Sequence, residues 1–285
     1  MLNKQLIDPK SIVIIGGSND TKKPGGKIVN NLVNGGFKGS LHVVNPKETK
    51  VQGLTCYSSV NDIPETDLAI LSIPAKYCLE TITILTTQKN TKAVIIISAG
   101  FAEAGELGKE IERQIVSVVK GVNGCLIGPN CIGVINNNYK GVFTSPIPKF
   151  HSDGCDLISG SGATAVFIME AGMPLGVKFA NVYSIGNGAQ TRVEDVLEYM
   201  DMNYVHHVDP PIKLLYIETI SDPKKLLKHA ASLINKGAKI AAIKAGSTSV
   251  GSRAATSHTG AIASSDVTVR ALFKKAGIVY CSSRE

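Results

Sequence analysis

One histidine in this chain stands where it could act as a nucleophile. His258 lies in a run of small residues, ATSHTGAIASSD (255–266), after an apolar stretch ending at Lys244 and before a helical pattern. Imidazole has an ordinary pKa of about 6.5, so it is a good nucleophile near neutral pH. The other five histidines are placed less well. His42 begins a strand, His151 lies in a connector, His206 and His207 lie in a polar loop, and His229 is on a helix. None has a carboxylate or thiolate companion at metal-ligand spacing, so no metal site is expected.

Two glycine-rich turns are candidates for holding an anion. Gly16, Gly17 and Ser18 follow the apolar run SIVII and precede a helical pattern, so backbone N–H groups there could carry a phosphate. Ser159, Gly160, Ser161 and Gly162 lie between another strand and helix, where small residues and the helix dipole make an anion site. Taken alone, either turn also fits an ordinary tight strand-to-helix connection. The dinucleotide fingerprint GxGxxG is not met, because in GGSNDTKKPGGKI the pair Gly25-Gly26 comes much further on. A bound nucleotide fits this pattern; nothing points to NAD in particular.

The elements that must position these residues follow from hydrophobic periodicity. Short apolar runs at 11–15, 41–44, 68–73, 93–97 and 124–127 read as buried strands, and 27–33, 79–87 and 106–119 read as helices between them. This alternation predicts a parallel sheet with Rossmann-like winding. Asn136-Asn137-Asn138 and TSPIP (144–148) fit neither period and predict a linker. A second series then begins, with strands at 155–158, 178–184, 212–217, 239–244 and 278–280 and helices at 163–171, 192–200, 223–235 and 265–276. That series predicts a parallel sheet of the flavodoxin-like kind. The expected organisation is α/β, with one domain over 1–140 and a second over 150–285.

Composition agrees. The chain has 285 residues, 44% of them hydrophobic, with 28 glycines and no Trp. This suits Val/Ile-rich strands joined by tight turns. The net charge of +7 fits either a solvated Lys-rich surface or an anionic ligand. The lysines are scattered, and no basic run interleaves with aromatics, so nucleic acid is not expected. The six cysteines form no CxxC pair, so neither zinc nor a disulfide framework is indicated. No apolar run reaches about 18 residues and the N-terminus has no apolar signal core, so a cytoplasmic location without membrane contact is the expectation.

The ordered motifs resemble a known family. SIVIIGGSN (11–19), HVVNPK (42–47), AILSIPA (69–75), ISAGFAE (97–103), IGPNCIGVIN (127–136), ISGSGATA (158–165), YSIGNGAQTRVEDVLEYM (183–200), LLYIETISDP (214–223) and SHTGAIASSD (257–266) run through nearly the whole chain. The set is similar to the ADP-forming acetate–CoA ligases and, more distantly, to the succinyl-CoA synthetase α subunit. The resemblance implies the reaction acyl-CoA + phosphate + NDP ⇌ acid + CoA + NTP, through an acyl phosphate and a phosphohistidine. It makes His258 the phosphoryl carrier. Glu218, in YIETI, becomes the carboxylate that orients the other ring nitrogen. The residues Ser159, Gly160, Ser161, Gly162, Ala163 and Thr164 become the phosphate cradle. Coenzyme A is expected over the first domain, its nucleotide and pyrophosphate near Gly16, Gly17, Ser18, Asn19 and Lys27, with Asn45, Pro46 and Lys47 beyond the second strand. Ser72, Ile73 and Pro74 and then Ser98, Ala99 and Gly100 would line the pantetheine path, with Asn130 near the thioester. Cys131 is expected to pack rather than react.

The family usually continues past SHTGA into a third α/β domain and an ATP-grasp unit, in the same or another chain. ATP or ADP and Mg²⁺ are therefore expected on a partner ATP-grasp domain or β subunit, and an oligomer is expected. This chain, ending at Glu285, is expected to be a fragment or a separate subunit. Gly188-Ala189-Gln190 departs from the acidic stretch common in relatives, which leaves the preferred acid open. Two rivals remain. A non-catalytic CoA-sensing module typically lacks the active-site His. An NAD(P) oxidoreductase would need GxGxxG and an acidic residue where Asn45-Pro46-Lys47 stand.

Overall fold

The computed structural model describes residues 2–145, 147–246 and 266–283. The chain divides into two compact units, one over Leu2–Ser145 and one beyond it.

The first unit opens with a one-turn helix, α1 (Lys4–Ile7), capped by Asn3, whose side chain accepts the Leu6 N–H. Then follow β1 (Ser11–Ile15), α2 (Pro24–Asn34), β2 (Ser40–Val44), β3 (Lys50–Val51), β4 (Leu54–Tyr57), β5 (Leu68–Leu71), α3 (Ala75–Gln88), β6 (Ala93–Ile96), α4 (Glu106–Gly121) and β7 (Cys125–Ile127), closed by a hairpin of β8 (Gly133–Ile135) and β9 (Lys140–Val142). The sheet order is β3-β4-β2-β1-β5-β6-β7. All pairs are parallel except β3 with β4. Strands β5, β6 and β7 are buried along their whole length, as unbroken apolar runs covered on both faces must be.

The chain leaves β1 towards β2 on one side, while β5 flanks β1 on the other. The winding therefore reverses at β1, and the crevice beyond its carboxyl end is where such sheets take ligands. Helix α2 starts three residues earlier than its periodicity suggests, at Pro24, whose fixed φ suits the first helical position.

The polar triplet Asn136-Asn137-Asn138 is a tight turn within the β8–β9 hairpin. Asn136 Oδ1 accepts the N–H groups of Asn138 and Tyr139, and its amide donates to Ile7 O. The amide mimics a backbone turn, which is why a polar run here is ordered structure rather than slack chain.

The second unit has β10 (Phe150–Ser159), α5 (Gly162–Gly172), β11 (Phe179–Ser184), α6 (Val193–Asn203), β12 (Ile212–Ile217), α7 (Pro223–Asn235), β13 (Lys239–Lys244), α8 (Asp266–Ala276) and β14 (Val279–Tyr280). These strands pair in parallel in the order β14-β13-β12-β10-β11. His151, expected in a connector, lies in β10. Here β10 is the strand where the winding reverses, since β11 and β12 flank it. Across β10 and β12 Asp156 and Lys213 form an ion pair with side chains only 2% exposed. Asn181 donates to the second Asp156 oxygen, and Lys213 also donates to Pro210 O. Both charges are thus paired and hydrogen-bonded, as burial requires.

Candidate functional site

In the first unit five strand-end segments line the carboxyl edge of the sheet on both sides of the reversal point. Gly16 donates its N–H to Val44 O, and Ser72 donates its N–H to Ile15 O. Ser98 Oγ donates to Ile73 O at 2.5 Å, and Asn130 N–H donates to Ser98 O at 3.0 Å. Asn45 Nδ2 donates to Gly17 O, while Asn45 Oδ1 accepts the Lys47 N–H. The residues expected around coenzyme A, from Gly16 to Asn130, are therefore brought together along one edge. Ala99, Pro46 and Lys47 are exposed on it, and Gly100 adopts φ +106.

The geometry changes what several of these residues do. Gly16 sits at φ +86, and a Cβ there would lie 2.5 Å from Ser72 O. Gly17 has no such backbone demand, and a Cβ on it would strike Val43 and Val29 in the core rather than face a ligand. Asn45 and exposed Asn19 spend their side chains on bonds to this chain itself, the latter donating to Lys50 O and Glu48 Oε2. Lys27 stands half-buried on α2 beyond its first turn.

Gly25 was missed as part of this site. A Cβ there would lie 2.0 Å from Gly16 O, and one on Gly26 would lie 2.0 Å from Asp20 O. The helix therefore packs onto the turn as closely as a third fingerprint glycine would allow, with an inserted loop, SNDTKKP, between. The spacing hid this, because a longer loop defeats a fixed-register motif. What the edge can do is bind anions: its backbone approaches closely, and Lys22, Lys23, Lys47 and Lys50 are exposed near it in sequence and on its flanking strands.

The Cys131 thiol is inert by environment. It is buried, donates to Ile96 O, and burial pushes its pKa up to about 12. This agrees with a packing role.

In the second unit Ser159 ends β10 and Gly160 follows it at the reversal point. Gly160 donates its N–H to Tyr216 O, and Ile185 donates its N–H to Ser159 O. Ser161 is the N-cap of α5, its Oγ accepting the Thr164 N–H at 3.2 Å. Gly162 opens the helix, Ala163 is exposed on it and Thr164 is buried. The first-turn N–H groups of α5 thus face the carboxyl edge of the sheet, where the dipole favours an anion.

Glu218 follows β12 directly and packs against this turn. A Cβ built on Gly160 would lie 3.5 Å from Glu218 Cγ, at van der Waals contact. Cradle and carboxylate are therefore neighbours. His258 lies outside the described residues, as do most of the small residues around it.

Two residues were missed here. Lys244 ends β13, only 3% exposed, and Nζ donates to Ala245 O at 2.6 Å. Burial lowers its pKa, against the opposing pull of the Glu218 and Asp266 carboxylates. A lysine closing the apolar run IAAIK was the available signal. Glu194, buried on α6, accepts the Ser221 and Asp222 N–H groups through Oε1 and so fixes the segment after Glu218. Its place one helical position before Asp195 gave no hint of that. Among the described residues no cluster of His, Cys, Asp and Glu could hold a metal ion, and no helix is long and apolar enough to cross a membrane.

Comparison with known proteins matches this architecture unit by unit. Residues 10–137 match the family model of a CoA binding domain, and residues 152–285 match that of the succinyl-CoA ligase like flavodoxin domain. The chain is 38% identical over 279 residues to an ADP-forming acetate–CoA ligase of Methanocaldococcus jannaschii, covering 97% of this chain and 38% of that protein. It is 36% identical over 280 residues to the α subunit of ADP-forming acetate–CoA ligase II of Pyrococcus furiosus, covering 97% and 59%. Among solved structures it matches the dinucleotide-forming acetyl-coenzyme A synthetase 1 of Ca. Korarchaeum cryptofilum in complex with phosphate and ADP. That match has a TM-score of 0.89 at 30% identity, over 98% of this chain and 59% of the other. The chain thus spans between 38% and 59% of the length of these relatives. It belongs to the NDP-forming acyl-CoA synthetase family, of which it carries the CoA-binding domain and the succinyl-CoA-ligase-like flavodoxin domain.

Proposed function

We propose that this chain is the CoA-binding, phosphohistidine-carrying part of an ADP-forming acyl-CoA synthetase. One observation carries the reading: the Ser161-capped cradle at the mouth of α5 lies beside Glu218, whose Cγ a Cβ built on Gly160 would meet at 3.5 Å. A cradle for a phosphoryl group beside a carboxylate for an imidazole is what transfer through His258 requires.

The reaction divides between the two domains, taken as 1–140 and 150–285. The first holds coenzyme A at Gly16, Ser18, Asn19, Lys27 and Lys47, with the pantetheine passing Ser72, Ile73, Pro74, Ser98, Ala99 and Gly100 towards Asn130. Gly17 and Asn45 shape this edge from within. A phosphate oxygen attacks the thioester carbonyl; the C–S bond breaks and the thiol leaves with the proton. His258 then attacks phosphorus, the carboxylate departs, and a P–N bond forms. Glu218 holds the proton on the far ring nitrogen and stabilises the imidazolium. The residues from Ser159 to Thr164 hold the phosphoryl oxygens on N–H groups. The phosphoryl group finally passes to a nucleoside diphosphate, which with Mg²⁺ is assigned to an ATP-grasp domain or β subunit. An oligomeric, cytoplasmic enzyme goes with this reading.

The test is phosphoryl labelling of the chain together with its companion module, using acyl-CoA and labelled phosphate. The label should be acid-labile and alkali-stable and should vanish in His258→Ala. A label persisting in that variant excludes His258 as the carrier.

A further inference from the structure

The hairpin of β3 and β4 turns on Gln52 and Gly53, at φ 48 and 86. Two successive positive φ values make the turn that a right-twisted hairpin favours, and its first position suits Asn, Asp or Gly. Gln is a poor choice there, because its longer side chain gains nothing from a left-handed backbone. Strain kept at such a position points to work done outside the turn.

The side chain reaches across to the loop between β1 and α2. Gln52 Nε2 donates to Ser18 O at 2.8 Å and to Gly26 O at 2.8 Å. Its backbone N–H donates to Asn19 Oδ1 at 2.8 Å, and Asn19 Nδ2 donates back to Lys50 O at 3.0 Å. One amide therefore bridges the two ends of the inserted loop, on either side of Lys22 and Lys23. That insertion is what separates this turn from a compact fingerprint, and it needs an anchor that a shorter turn would not.

We propose that Gln52 is a positioning residue for the phosphate-bearing end of coenzyme A, fixing the width of loop 18–26 before the ligand arrives. This rests on the CoA reading above. Both hydrogens of the amide are engaged, so Gln52 acts through the loop. Without the bridge the loop must be ordered at the moment of binding, and that cost appears as lost affinity.

The test is calorimetric titration of the 285-residue chain with coenzyme A, in wild type, Gln52→Gly and Gln52→Asn. Both replacements suit the turn better than Gln, and neither can reach the two carbonyls. Melting temperature should stay level or rise, while affinity for coenzyme A falls about tenfold. Affinity within twofold of wild type in the folded variants overturns the proposal. So does a lowered melting temperature with unchanged affinity, which would make Gln52 a hairpin stabiliser only. Wild-type chain that binds no coenzyme A instead overturns the CoA reading itself, a result separable from the other two.

Discussion

Adjacent glycines in the first turn do different work, and substitution should separate them. Gly16 is demanded by its backbone, at φ +86 and against Ser72 O. Gly17 is demanded by the core, where a Cβ would meet Val43 Cγ1 at 2.5 Å. Overpacking of this kind costs about 1–3 kcal/mol. Gly17→Val should therefore lower the melting temperature by several degrees, and any loss of coenzyme A affinity should follow from lost folded protein. A folded, fully stable Gly17→Val chain that fails to bind would show that Gly17 faces the ligand after all. Lys244 offers a second test, through pH. Its folded pKa is depressed by burial, so between that value and the ordinary lysine value the unfolded chain binds more protons. Stability from this group therefore rises with pH across that window. Lys244→Met should stabilise the fold at pH 7, and the gain should shrink as pH approaches the ordinary lysine range. Denaturant titrations at both pH values measure it; an equal gain at both would show that the ammonium is not what strains the site.

Elements were legible where periodicity alone decides them. The apolar runs at β1, β5, β6, β12 and β13 read directly as strands, because each is bounded by turn residues. What stayed hidden depended on side chains reaching across sequence. The β3–β4 hairpin is too short to show alternation, and its role rests on Gln52 meeting residues 26 and 34 positions earlier. The start of α2 was masked by Gly25 and Gly26, poor helix formers chosen for close approach rather than propensity. Glu218 could be named from family resemblance, yet its place beside Gly160 needed the parallel register that sets Ser159 opposite Tyr216. Helix α5 gives the prediction at this scale. Ser161 accepts the Thr164 N–H, and losing such a cap costs about 1 kcal/mol. Ser161→Ala should lower stability by that amount, whereas Ser161→Asp should keep the cap and the stability yet slow His258 phosphorylation more than Ser161→Ala does, since its carboxylate repels the phosphoryl group. If the Asp variant is labelled at the wild-type rate, the cradle does not lie at this helix end.

At the scale of the whole molecule, the two sheets present two carboxyl edges with different chemistry. One is a long crevice where five strand ends meet glycine turns and exposed lysines, suited to an extended anionic ligand. The other is a compact turn where the capped end of α5 lies beside Glu218, with buried Lys244 ending β13 next to β12, and its size suits a single small anion. The proposed reaction needs a third component, a nucleoside diphosphate with its metal ion. Neither edge is assigned to that component in this reading, and the relatives that this chain matches are longer than it by a wide margin. The 285-residue chain should therefore bind coenzyme A yet form no ATP from acyl-CoA, phosphate and ADP. Supplying an ATP-grasp partner should restore ATP formation, and His258→Ala should abolish it again. The order of loss matters: Glu218→Gln should slow labelling of His258 without moving its site, because only orientation and charge stabilisation of the ring are removed. Steady, His258-dependent ATP formation by the purified chain alone would mean that a nucleotide site lies within these 285 residues, and the division of labour argued for the two edges would fall with it.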